Sequence, residues 1–122
     1  MAELTTDNVV EELVKQVPEL SPSYEHQMDY FEEIFNYVFF GPILCEFIAE
    51  RLGENGMMSS SNEAILTPIF LLIEECAESG DKELRDLVLA GFLDSFTPKM
   101  NEYPALKGFL GVKTEQLLSL FE

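Results

Sequence analysis

An all-α fold, six to seven helices in antiparallel pairs forming a helical bundle or a short αα-solenoid, follows from three features of the sequence. Apolar residues recur at spacings of three and four in segment after segment. Nowhere do apolar and polar residues alternate cleanly between turn signals, as a half-buried strand requires. The helical segments are joined by short turns, which favours antiparallel neighbours. The 122 residues suit one domain over 1–122, and 47% hydrophobic content supplies a core rather than a disordered chain.

The first helix is expected from Asp7 to Val17, capped by Thr6 or Asp7, with Val10, Leu13, Val14 and Val17 inward. Pro18 ends it, because the residue before proline avoids the helical region. Ser21-Pro22-Ser23 opens the second, which carries Tyr24, Met28, Phe31 and Phe35 along one side and breaks at Asn36-Tyr37. Gly41 suits an N-cap and Pro42 the first position of a third helix running to about Leu52, with Ile43, Leu44, Phe47 and Ile48 inward.

Gly53 to Ser61 is the clearest loop. The fourth helix starts near Asn62 and stops at Gly80, with Pro68 inside it expected to kink it or shift its start. Asp81 caps a fifth helix that Thr97-Pro98 ends at about Phe96. Both are apolar around most of their girth, so the helices around Ile69 and Val88 belong at the centre. A short sixth helix lies between Lys99 and Leu110. A seventh follows Gly111 with Leu117, Leu118 and Phe121.

Charge is the strongest compositional signal. Twenty-three acids oppose seven bases, a net of −16. Residues 1–79 hold sixteen acids and two bases, Lys15 and Arg51, whereas residues 80–122 hold seven acids and five bases. Such a field repels nucleic acid and anionic membranes and attracts basic surfaces, although it also serves plain solubility. No apolar run approaches the roughly 18 residues of a membrane span. Glu3 stands where a secretion signal needs positive charge, so a cytoplasmic location is expected. Cys45 and Cys76 are too few for a disulfide framework and are expected as buried free thiols.

Catalytic and metal-binding constellations were sought, and the expectation is of neither an enzyme nor a metal or cofactor site. His26 is the only histidine, and no Glu-x-x-His accompanies it. A serine or cysteine nucleophile has one possible base. There is no phosphate-cradling glycine motif. The pairs Glu32/Glu33 and Glu46/Glu50, and the run Glu74/Glu75/Glu78, read first as solvated helix faces.

Aromatic residues are more telling. Tyr30, Phe31, Phe35, Tyr37, Phe39 and Phe40 crowd into residues 30–40. Most belong in the core, but an irregular segment cannot bury them all. A surface for a basic protein combines aromatic anchors with carboxylates for steering and arginine pairing. The expected partner site is therefore Asp29, Tyr30, Glu32, Glu33, Tyr37, Glu46 and Glu50, with Tyr30 and Tyr37 as anchors. Glu74, Glu75 and Glu78 form the alternative acidic face.

The stretch from Tyr30 to Gly41, Y-F-E-E-I-F-N-Y-V-F-F-G, resembles the Y-x-E-L-L-P-H-V-F-F-G-D core of a family of small acidic bacterial helical proteins. Ile69 to Glu75 with Ser79-Gly80-Asp81 is similar to that family's I-F-x-F-I-E-E helix and its G-D end, and Leu110 to Thr114 to its L-G-P-K-T. Asn36, Tyr37, Pro42 and Val112 depart from the pattern. The resemblance implies an immunity protein that binds a cognate toxin and occludes its active surface. A general helical adaptor or chaperone-like module is the alternative. The sequence leaves open the partner's identity and activity, the oligomeric state, and whether the Gly53–Ser61 loop orders on binding.

Overall fold

The computed structural model describes residues 4–51 and 60–121, with the side chains of Ser60, Ser61 and Phe121 outside the description. Among the described residues there is helix and no strand. In chain order the α-helices are α1 (Val9–Gln16), α2 (Ser21–Phe31), α3 (36–50), α4 (Ser60–Glu78), α5 (82–102) and α6 (Val112–Leu118). Three short 3₁₀ turns, Pro18–Leu20, Pro104–Phe109 and Ser119–Phe121, join or finish them. The expected loop Gly53–Ser61 lies outside the described residues except for Ser60 and Ser61, whose backbone already belongs to α4.

The helices form a bundle around α4 and α5, as their all-round apolar character predicts. Ile69 and Val88 are fully buried, and Phe92 and Phe96 stack with centroids 4.7 Å apart. Phe70 meets both edge-on at 6.4 and 5.9 Å and stacks on Phe109 at 5.3 Å. From α1, Val9, Val10 and Leu13 close one side of this core; from α3, Phe39, Phe40, Leu44 and Ile48 close another. Cys45 and Cys76 are both buried and both free, and burial pushes each thiol up to about 12.

Several sequence expectations are corrected. The second helix ends at Phe31, five residues before the expected break at Asn36, because Glu32 adopts a left-handed conformation (φ 63°) while its N–H still bonds Met28 O at 2.8 Å. Phe35 is thus outside α2.

Gly41-Pro42 does not start a helix. Both residues lie inside α3, in the π-helical stretch Phe39–Ile43, where Leu44 N–H reaches back to Phe39 O. The wide turn re-routes the hydrogen bonds around a proline that cannot donate.

The end of the fifth helix is corrected too. Asp81 caps it as expected, its Oδ1 accepting from Glu83 N at 2.9 Å. It then runs through a second π stretch, Leu87–Leu93, and continues as regular α-helix over Asp94–Glu102, with Pro98 inside that last stretch. Pro68 likewise neither delays nor ends α4, which begins eight residues before it. Each of these prolines follows a threonine whose hydroxyl donates to the carbonyl four residues back, Thr67 to Glu63 and Thr97 to Leu93, both at 2.8 Å. The sixth helix is reduced to the 3₁₀ turn Pro104–Phe109.

Candidate protein-binding surface

The short link from α2 to α3 exposes what a helix would bury. Once Glu32 turns left-handed, the chain must reach α3 within a few residues. Gln27, a buried polar side chain of α2, holds the link by accepting from Phe35 N–H at 3.1 Å. Asn36 then ties the start of α3 to the N-terminal segment, donating to Thr6 O at 2.6 Å. With the backbone fixed this way, Tyr30 is 74% exposed, Phe31 51%, Tyr37 50% and Phe35 41%. Their rings form a chain: Tyr30 meets Phe31 at 4.8 Å and Phe31 meets Phe35 at 5.5 Å. His26, exposed on α2, lies over Tyr30 at 6.3 Å.

All seven expected site residues are exposed, but they do not form one site. Glu32 and Glu33 line a groove of about 470 Å³ together with Asp7, Glu11, Val10, Tyr24 and Met28. None of these four carboxylates belongs to an ion pair among the described residues. Tyr37 packs toward Gly91 and lines a second groove, of about 450 Å³, with Phe35, Leu87 and Glu83. Glu46 and Glu50 line a third, about 380 Å³, with Ser23, Pro42 and Phe47.

The reason for the split is the corrected helix boundary. Continuing α3 back to Asn36 puts Tyr37 more than two turns from Glu46 along one helix, and the two line different grooves. Glu46 is also engaged: it accepts from Lys99 Nζ at 2.7 Å and holds that amine above its ordinary pKa. Asp29 and Tyr30 sit on exposed α2 positions beside the first groove and line neither of the first two.

Of the alternative acidic face, Glu75 and Glu78 stay exposed while Glu74 is engaged. Glu74 turns onto α6, accepting from Lys113 N at 2.8 Å, Thr114 N at 2.9 Å and Thr114 Oγ1 at 2.8 Å. Burial alone would raise its pKa, but these donors outweigh it and hold the carboxyl below the usual range.

Sequence reasoning missed Asp7 and Glu11. Their spacing of four was a usable signal. It missed the roles of Gln27 and Asn36, for which nothing local was available, since their partners are eight and thirty residues away. Among the described residues no group of three His, Cys, Asp or Glu side chains is placed to hold a metal, and no helix is long and apolar enough to cross a membrane.

No curated protein and no solved structure matches the chain significantly. Residues 10–120 match the model of a domain of unknown function, DUF7674, and with nearly the whole chain inside that match the protein belongs to this family.

Proposed function

We propose that this chain is a binding protein rather than an enzyme, and that it neutralises a basic toxin domain by covering its active surface. The observation that carries the reading is the run of exposed rings from Tyr30 to Phe35 continuous in the chain with Glu32 and Glu33, which share a groove with Asp7 and Glu11, all four carboxylates outside any described ion pair. Large exposed rings in contact with one another mark interaction sites. Carboxylates around them steer a basic partner and pair with its arginines. The same field works against nucleic acid and anionic membrane as partners, and a cytoplasmic place of action fits a protein that meets its toxin in the producing cell. The toxin-immunity part of the proposal draws on the family resemblance of the V-F-F-G region.

The test is a growth-rescue assay in which a candidate toxin is expressed with and without this chain, paired with affinity measurements on the purified proteins. Rescue lost on Glu32→Lys with Glu33→Lys, with affinity falling at high salt, supports neutralisation through this surface. Binding to several unrelated proteins without rescue favours the adaptor reading. Rescue that persists through both charge reversals and is indifferent to salt would mean the acidity serves solubility alone.

A further inference from the structure

Two of the grooves are neighbours of opposite character. The first has an acidic rim; the second is walled by Phe35, Tyr37 and Leu87. Both include Thr6, Ile34 and Asn36 in their lining, so the Asn36–Thr6 hydrogen bond forms part of the ridge between them. Resting on the protein-binding reading above, we infer that the pair recognises one polypeptide segment of the partner, which places an arginine in the acidic groove and a large apolar side chain in its neighbour.

Arginine fits the first groove better than lysine. The four carboxylates come from two parts of the chain, α1 with its preceding turn and the turn at residues 32–33, and share the groove's lining with Tyr24 and Met28. A planar guanidinium engages two carboxylates at once and lays its stem and flat face on apolar or aromatic atoms. A compact ammonium keeps its hydration and does neither well. A free polycation would gain nothing from the second groove, where Glu83 is the sole acid among walls that are mostly apolar. A second copy of this chain, at net −16 with seven basic residues in all, is a poor source of the arginine.

The probes are fluorescent peptides of one length, differing only in Arg against Lys and Leu against Ser at two positions, prepared at helical and extended spacings. Spermine is the non-peptide control. The Arg–Leu peptide is expected to bind best. Glu11→Gln with Glu33→Gln should weaken it about tenfold or more and erase the preference for arginine. Phe35→Ser should erase the preference for leucine and leave that for arginine.

All these positions are exposed, and thermal melts verify that each variant is folded. Equal binding by wild type and variants, or spermine binding as tightly as the Arg–Leu peptide, overturns the inference. So does a protein partner that loses affinity only on Glu46→Gln with Glu50→Gln, an outcome that leaves the protein-binding reading standing.

Discussion

Glu74 fastens two helices with a single carboxylate. Gly111, at the start of α6, has no side chain with which to cap the helix, and Glu74 supplies the missing acceptor from α4. A Cβ at Gly111 would collide with that carboxyl group, so the glycine clears the space the cap occupies. Glu74→Gln keeps the shape and loses the charge, and should cost about 1–2 kcal/mol at neutral pH, the range of a lost N-cap. The sign of the pH dependence follows from the lowered pKa. The stabilisation is present above the unfolded-state pKa and disappears as pH falls through the folded-state value. Denaturation of wild type and variant should therefore differ at pH 7 and converge in acid; a constant gap would mean the bonds, not the charge, carry the effect. Cys45 and Cys76 make a second test at this scale. With both thiols buried and held near 12, labelling should be slow in the native state and fast in denaturant. Rapid native labelling of both would remove them from the core. The cysteines were legible in the sequence because their apolar neighbours are local. Glu74 was not, because Thr114 lies forty residues away.

Between elements, the two π stretches, Phe39–Ile43 in α3 and Leu87–Leu93 in α5, approach through a pair of glycines. A Cβ at Gly41 would stand 3.1 Å from Gly91 O and 3.0 Å from Ser95 Oγ; at Gly91 its tight contacts would be with the side chains of Leu87 and Tyr37, at 3.2 and 3.3 Å, and the nearest backbone atom, Tyr37 Cα, would lie at an ordinary 3.7 Å. Backbone yields less than side chain. Gly41→Ala should thus destabilise by about 1–2 kcal/mol, while Gly91→Ala stays closer to neutral, since alanine recovers roughly 1 kcal/mol of helix propensity. Chemical denaturation of the two variants tests the ranking. Equal losses would show that the helices separate more easily than their packing implies. Phe92→Ala, beside Gly91 and fully buried, should cost about 3–5 kcal/mol. Periodicity made the existence of these helices readable, along with the Asp81 cap and the central place of α4 and α5. Their boundaries were less readable at prolines 42 and 98. Proline reads locally as a stop signal, but at Pro42 a π turn carries the helix past it and beside Pro98 the Thr97 hydroxyl bonds the Leu93 carbonyl within a helix held by the rest of the bundle. The misplaced boundary at Pro42 then carried through to the site, joining Tyr37 to Glu46 and Glu50.

The whole molecule is charged far beyond what its ion pairs neutralise. Among the described residues two salt bridges form, Lys15–Glu12 and Lys99–Glu46, against a net charge of −16. Repulsion dominates, so screening should help. Raising ionic strength from about 0.01 M to 0.15 M shortens the Debye length from roughly 30 to 8 Å and should raise the melting temperature. A melting temperature that falls with salt would show that attraction between paired charges outweighs the repulsion. The same screening should weaken a basic partner, which places stability and affinity in opposition along one variable. Net charge and its concentration in the first two-thirds of the chain were plain in the sequence. Their division among separate grooves was not, because it depends on how α1, α2 and α3 meet.

The hydrogen bond from Asn36 to Thr6 has one further consequence. It draws together stretches of chain thirty residues apart, so the acidic groove is a discontinuous epitope. A peptide copied from residues 28–38 carries the rings and half the carboxylates but no opposite wall. An antibody raised against such a peptide would lack the groove's opposite wall in its epitope, and one specific for the groove itself would require the folded protein. For the same reason, transplanting this surface to another scaffold would require two grafted segments held in register.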